Sequence, residues 1–361
     1  MAGSDILGNV IMEQWENEIR KRGQVNVLIA GRTGVGKSTL INAIFQGNLA
    51  QTGQGKPVTL QTREIKKEGI PLSIFDTRGL ELADFQATLK EVISLVSARR
   101  KQTDPREHIH VAWVCISEDS RRVEQAEIDL VTGLAEHLPV AGVITKSRAD
   151  NGFRAEVQRL LPQAKNIIRV RALSERFDDG HALPPMGLVE LTQLTSELIP
   201  EGQRNALAAA QKVDLQAKIN RGHKVVAGAA AAAAVTGATP IPFSDAVVLI
   251  PIQIGMLAGI TLAFGLQVSK GFLMTLVTSA AGCTGATFVG RAIVANLLKF
   301  IPGAGSVAGG VISATTAAAL TTALGEAYIA VLAKLSQEKP LSEITEAEIT
   351  EALKSRLKGN G

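Results

Sequence analysis

Eight residues, Gly31-Arg32-Thr33-Gly34-Val35-Gly36-Lys37-Ser38, constrain this chain more than any others. They fit G-x-x-x-x-G-K-[ST], a turn whose glycines let successive backbone N–H groups converge on one anion. The flanks suit the motif. Residues 25–30 are an apolar run that reads as a buried strand, and residues 39–45 read as a helix whose N-terminus adds partial positive charge. Gly31, Gly34, Val35, Gly36 and Thr39 would cradle phosphates. Lys37 would reach the β- and γ-phosphates, and Ser38 would place its hydroxyl on Mg²⁺.

The 361 residues suffice for about two to three domains. A net charge of only +4 gives no strong nucleic-acid signal. Cys115 and Cys283 lie in apolar runs and read as reduced, buried thiols, and the five histidines show no metal-ligand spacing. His108 and His110 share one strand face, with a structural role expected. The first residues carry Asp5 and Glu13 rather than a basic start followed by an apolar core, so a cytosolic nucleotide domain is expected. Charges are dense up to Lys224, whereas residues 225–325 contain only Asp245, Lys270, Arg291 and Lys299. That shift marks a change of domain type.

Apolar spacing predicts a helix over 4–22, ended by Gly23 and packed on the nucleotide domain or on the C-terminal part. Residues 47–60 read as a loop, and 61–66 as a strand. The strand at 72–75 delivers Asp76-Thr77-Arg78-Gly79, a D-x-x-G pattern. Asp76 at a strand end can hold Mg²⁺ through water, and Gly79 can offer its N–H to a γ-phosphate, so that the loop moves when the phosphate leaves. A helix at 84–100, a strand at 109–116, a helix at 123–137 and a strand at 140–144 follow. The alternation continues through a helix at 153–161, a strand at 166–170 and a helix at 187–199, closed by Pro200. Alternating strands and helices argue for a doubly wound, mainly parallel α/β sheet.

The motifs together resemble the Era/TrmE-like branch of the translation-factor-class GTPases over about residues 24–200. The resemblance implies GTP/GDP as bound nucleotide, Mg²⁺, and attack of water on the γ-phosphate. It also implies a threonine that caps Mg²⁺ in the first loop. Thr59 after Pro57 is the choice, with Thr52 and Thr62 as competitors, so Lys37, Thr59 and Gly79 form the expected catalytic set. Leu80 stands where Ras-like proteins place a water-orienting glutamine. Slow intrinsic hydrolysis is implied, or help from Arg32, Thr33, Arg78 or a partner such as a nucleotide-dependent second copy. Thr145-Lys146-Ser147-Arg148 lies at the [NT]-K-x-D position, with Arg148 in place of the acid. Either Asp150 reaches the base or guanine selectivity is relaxed. Ala172 would meet guanine O6 through its backbone N–H.

Residues 201–238 read as one long helix broken near Pro240 and Pro242. The uncharged runs 246–269, 271–290 and 300–325 are each about as long as the ~20 residues that span a bilayer. Gly255 with Gly259, and Gly305 with Gly309, permit close helix approach. Membrane insertion or association competes with a tightly packed soluble bundle. Residues 239–245 and 300–305 resemble an uncharacterised hydrophobic domain that follows an Era-like GTPase in some bacterial proteins. Asp245 reads as a helix cap rather than a proton carrier. Residues 341–357 read as an amphipathic helix.

The domain layout is therefore an N-terminal helix (1–23), a GTPase domain (24–200), an all-α hydrophobic helical domain (201–340) and an amphipathic tail (341–361). The expected protein is a GTP-binding switch, cytosolic in its nucleotide domain and associated with membrane lipid. A gated channel-like protein, and an Era-like RNA or ribosome-assembly factor, compete. The first has few intramembrane ionisable groups to form a path, and the second has no basic, aromatic-bearing nucleic-acid module after residue 200.

Overall fold

A computed structural model of the chain describes residues 2–50, 62–77, 85–237, 245–266, 268–269, 272–273, 276 and 314–357. Two compact units emerge, Gly23–Asp214 and the combination of Met1–Arg22 with Leu215–Gly361.

The first unit is built on a six-stranded sheet: β1 (Val25–Gly31), β2 (Arg63–Lys66), β3 (Leu72–Asp76), β4 (Val111–Ser117), β5 (Val140–Thr145) and β6 (Ile167–Arg169). Its order is β2-β3-β1-β4-β5-β6, with β2 antiparallel at one edge and all other pairs parallel. Central β1, β4 and β5 are almost wholly buried, as parallel strands covered on both faces must be. Alternation then assigns faces. Val27, Ile29, Trp113 and Val143 meet Leu40, Ile41 and Leu191, from α2 (Lys37–Ile44) and α6 (Leu188–Leu198). Leu28, Ala30, Val114 and Ile144 meet Val92, Leu130 and Val157 on the other face, from α3 (Phe85–Arg100), α4 (Gln125–Ala135) and α5 (Phe153–Leu160). Trp113 stacks on Phe45 with ring centroids 5.7 Å apart, and its indole N–H donates to Thr195 Oγ1 at 3.0 Å.

The single long helix expected over 201–238 is instead two, α7 (Glu201–Ala210) and α8 (Leu215–Gly237). Main-chain pairing with the end of α2 pulls the intervening residues out of the helix. Gln46 N–H donates to Ala210 O, Lys212 N–H donates to Ile44 O, and Phe45 bridges Gln211. The Gln211 side chain then accepts from the amides of Val213 and Asp214, both at 2.7 Å. With Ala206, Leu207 and Ala210 buried in the sheet core, α7 belongs to the nucleotide unit, and the division falls at Asp214 rather than near Pro200.

The second unit comprises α1 (Ala2–Arg22), α8, α9 (Asp245–Phe264), α10 (Ala314–Glu338) and α11 (Glu346–Leu357). Of the two docking places open to α1, contacts put it on the C-terminal helices. Val226, Ile254, Leu257, Phe264, Tyr328, Leu332 and Leu353 share one core. Small residues set the helix spacing: a Cβ on Gly325 would lie 2.5 Å from Val226 Cγ2, and one on Gly259 would lie 2.9 Å from Val225 Cγ1. The buried Lys218 ammonium donates to Phe264 O at 2.9 Å, satisfying a carbonyl at the C-terminus of α9. The helix expected over 341–357 is a 3₁₀ turn, Leu341–Glu343, followed by α11. Glu348 accepts from Thr345 N–H at 2.9 Å and pins the start of α11. Runs 271–290 and 300–325 lie largely outside the described residues, as do Gly305 and Gly309.

His110 joins the N-terminal ends of the central strands β1 and β4. Its Nδ1 accepts from Asn26 N–H at 2.9 Å, and Nε2 faces Pro105 O at 3.1 Å, which fixes a neutral ring protonated on Nε2. Burial pushes its pKa below the ordinary 6.5. The unfolded chain therefore takes up a proton that the folded chain refuses. Stability from this source is full above 6.5 and is lost as pH falls through and below that value. Urea unfolding midpoints should drop between pH 8 and pH 5, and less steeply in His110→Gln. Identical slopes in the two proteins would remove His110 as the cause.

Candidate functional site at the phosphate loop and base loop

β1 ends at Gly31, whose φ is +146° and whose Cβ, if present, would lie 2.4 Å from Cys115 O. Gly34 (φ +78°) and Gly36 (φ +98°) also occupy conformations that favour glycine, and a Cβ on either would meet open space. α2 then starts at Lys37 with no capping side chain and no acid in its first turn, so its N-terminal amides face the loop. Lys37 Nζ donates to Gly31 O at 2.8 Å and Arg32 O at 3.3 Å, which holds the ammonium over the loop. Burial pushes the Cys115 thiol up to about 12 against the opposing field of Lys37, so this cysteine is an inert wall of the site.

Asp76 lies in register with Ile29 at the end of β3 and is 5% exposed. Thr77 N–H donates to Ile29 O, so β1 positions the start of the D-x-x-G segment. Ser38 and Asp76 supply a hydroxyl and a carboxylate, hard oxygen donors that suit a small divalent cation. Thr59, Arg78, Gly79 and Leu80 lie outside the described residues.

Thr145 ties the second half of the site to the first: its hydroxyl lies 2.6 Å from Val35 O and 3.2 Å from Ile116 O. Lys146 follows in a left-handed conformation (φ +54°). Its ammonium is 4.0 Å from Asp119, and both residues line a cleft of about 480 Å³ with Arg32, Thr33, Gly34 and Val35. Arg32 pairs with Glu124 at 3.3 Å. Glu127 lies beside them, its carboxyl raised to about 7 by burial, against the Glu124 amide and Arg32, which favour the charged form.

Two acids that motif reading passes over organise the base loop. Glu118, 2% exposed, accepts from the amides of Arg148 and Ala149 through one oxygen and from Arg169 Nε at 2.8 Å through the other. Glu175 forms a two-bond pair with Arg148, one bond from Nε at 2.8 Å and one from Nη2. An acid directly after an apolar strand was the available signal for Glu118; no local pattern marks Glu175. Asp150 instead starts α5: its carboxylate accepts from Arg154 N–H at 2.8 Å and lies 3.5 Å from Arg169. The Ala172 segment is fixed by Arg171, whose N–H pairs with Met186 O and whose guanidinium donates to Ser147 O at 2.7 Å.

Glu118→Ala leaves Arg169 without this partner and two loop amides without their acceptor. It should cost about 3–5 kcal/mol in urea unfolding, the scale for breaking a buried ion pair. A loss below about 1 kcal/mol, in the range of surface ion pairs, would show that the network does not hold the loop.

Residues 26–146 match the family described as 50S ribosome-binding GTPase. Among curated relatives, the tRNA modification GTPase MnmE of Paraburkholderia xenovorans is 31% identical over 183 residues, 49% of this chain and 36% of that protein. Cell division control protein 10 of Candida albicans is 26% identical over 182 residues, 42% of this chain and 50% of that protein. The chain thus spans about half or less of the relatives it matches. A solved structure of Aquifex aeolicus Era bound to GDP and aluminium fluoride aligns with a TM-score of 0.36 at 21% identity, covering 49% of this chain and 57% of that one. The unit Gly23–Asp214 thus combines a phosphate loop with a mainly parallel, doubly wound sheet, and residues 26–146 of it match a P-loop GTPase family.

Proposed function

We propose that the protein is a GTP-binding switch that hydrolyses GTP slowly and couples nucleotide state to a membrane-associated helical unit. The phosphate cradle carries this reading: positive-φ glycines, the uncapped start of α2 and the Lys37 ammonium converge on one loop. Lys37 would exchange the carbonyls of Gly31 and Arg32 for β- and γ-phosphate oxygens. Loop amides would share the charge that builds on the transferring phosphoryl group. Ser38 and Asp76 would hold Mg²⁺, with Thr59 as the expected third ligand; the bound cation would supply charge neutralisation. Lys146 would lie along the base and Ala172 N–H would meet its O6. With Leu80 at the water-orienting position, catalysis falls to Arg32, Thr33, Arg78 or a second copy.

Lys37→Ala and Ser38→Ala should each abolish tight Mg²⁺–GTP binding in equilibrium titrations of a fluorescent analogue. Parent-like affinity in Lys37→Ala would sink the phosphate-loop reading.

Two features support the membrane half. Among the described residues, 317–338 form a helix long and apolar enough to cross a bilayer, with mean hydropathy 1.3, although 44% of that stretch is buried. α8 exposes Ala227, Gly228, Ala231, Ala232 and Val235, the last 73% exposed. A soluble bundle is the competing reading, favoured by the buried Tyr328 and Leu332 on the same α10 helix. Full-length protein should sediment with membranes and resist carbonate extraction, and Val235→Lys, at an exposed site, should weaken that association without unfolding the bundle. Fully soluble, monodisperse protein without detergent would leave the GTPase domain controlling a soluble helical partner.

A further inference from the structure

The base loop keeps the shape of a nucleotide-reading loop but lacks the acid at its reading position. Thr145 is bonded to the phosphate loop, Lys146 takes the left-handed turn, and the amides of Arg148 and Ala149 are clamped on Glu118. Guanine offers two donors on one edge, N1–H and the 2-amino group, beside the O6 acceptor. A selective site therefore needs a carboxylate in line with the O6 donor. Asp150 is engaged at the start of α5.

We propose that Glu175 is the carboxylate that reads the guanine edge, delivered from the loop opposite and held in place by Arg148. This rests on the GTP-binding reading above. Glu175 stands three residues beyond Ala172, so one segment would carry both the O6 donor and the acceptor for N1–H and N2–H. A short hairpin fixes its backbone, with Glu175 paired to Leu183. Arg148 fixes its side chain: the guanidinium occupies one side of the carboxylate through two parallel bonds. A carboxylate has about four acceptor sites, so two stay open to the base. The side chain is 29% exposed, which leaves it accessible. Arg148 thus changes from a defect in the motif to a positioning residue. The pair also joins the two base loops across 27 residues of sequence. Asp119 is the rival acid, 3.4 Å from Arg148 and 4.0 Å from Lys146. It follows the end of β4 and lines the cleft with Lys146, but it has no link to the Ala172 segment among the bonds of the described residues.

The test uses full-length protein with Mg²⁺ and fluorescent GDP and xanthosine diphosphate. Xanthine carries a carbonyl where guanine carries the 2-amino group, so an amide in place of the carboxylate should prefer it. Glu175→Gln should lose about 10- to 100-fold in GDP affinity, the scale of a hydrogen bond to a charged group, while xanthosine diphosphate binds more tightly. Glu175→Gln with Arg148→Asp, which restores an acid at the motif position, should recover GDP preference. Unchanged GDP binding in Glu175→Gln, equal losses for both nucleotides, or the switch appearing in Asp119→Asn instead would each overturn the assignment alone. Wild-type protein that binds neither nucleotide would overturn the GTP-binding reading and this assignment with it.

Discussion

At Gly31 the backbone passes so close to the Cys115 carbonyl that a single added carbon would sit 2.4 Å from it. That approach locks the end of β1 against β4 and decides where the following loop can go. From there Gly34 and Gly36 turn the chain with positive φ, and α2 begins with its amides pointing back. Thr145 reaches the same loop from β5 through its bond to Val35 O. Three neighbouring parallel strands thus end at one place, and the crevice beyond their carboxyl ends is where open α/β sheets bind ligands. The loop's shape is a consequence of sheet packing, and the phosphate chemistry is a consequence of that shape.

The base side is held by charge instead of by glycine. Glu118 is buried and fully engaged, so it acts as a rigid post for the Ser147–Asp150 turn. Arg148, Glu175 and Asp119 form a more exposed layer above it, where an ion pair holds geometry but adds little stability. The deep network fixes the loop, and the outer pair of Arg148 and Glu175 ties it to the segment that follows Ala172. The helical unit follows other rules. Its Gly222, Gly259 and Gly325 let helices approach to the point where a Cβ would collide, and its single deeply buried ammonium among the described residues, Lys218, ends on a helix-terminal carbonyl.

Features that depend on neighbours along the chain are legible in the amino-acid sequence. The phosphate loop, Asp76 after an apolar strand, Thr145-Lys146 after another, and the alternation of the central strands all follow from spacing, and the sheet has the expected doubly wound, mainly parallel form. Features that depend on distant partners are not legible in this way. Helical propensity runs unbroken through 201–224, yet Phe45 and Gln46 capture the backbone around Gln211 and split the helix. Glu118 and Glu175 carry no motif; they matter because folding brings them to Arg148, from 30 and 27 residues away. Asp150 illustrates the converse. It is the nearest acid in sequence to the motif position, but the start of α5 claims it.

The central claim is that Gly31–Ser38 and the Thr145–Ala149 turn form one nucleotide site. Amide hydrogen exchange of the full-length protein, with and without Mg²⁺–GDP, tests it most directly. Protection should appear together in the amides of residues 32–39, 146–149 and 172, with little change in α9 and α10. Uniform exchange in these segments with and without nucleotide, or protection confined to another part of the chain, would contradict the account.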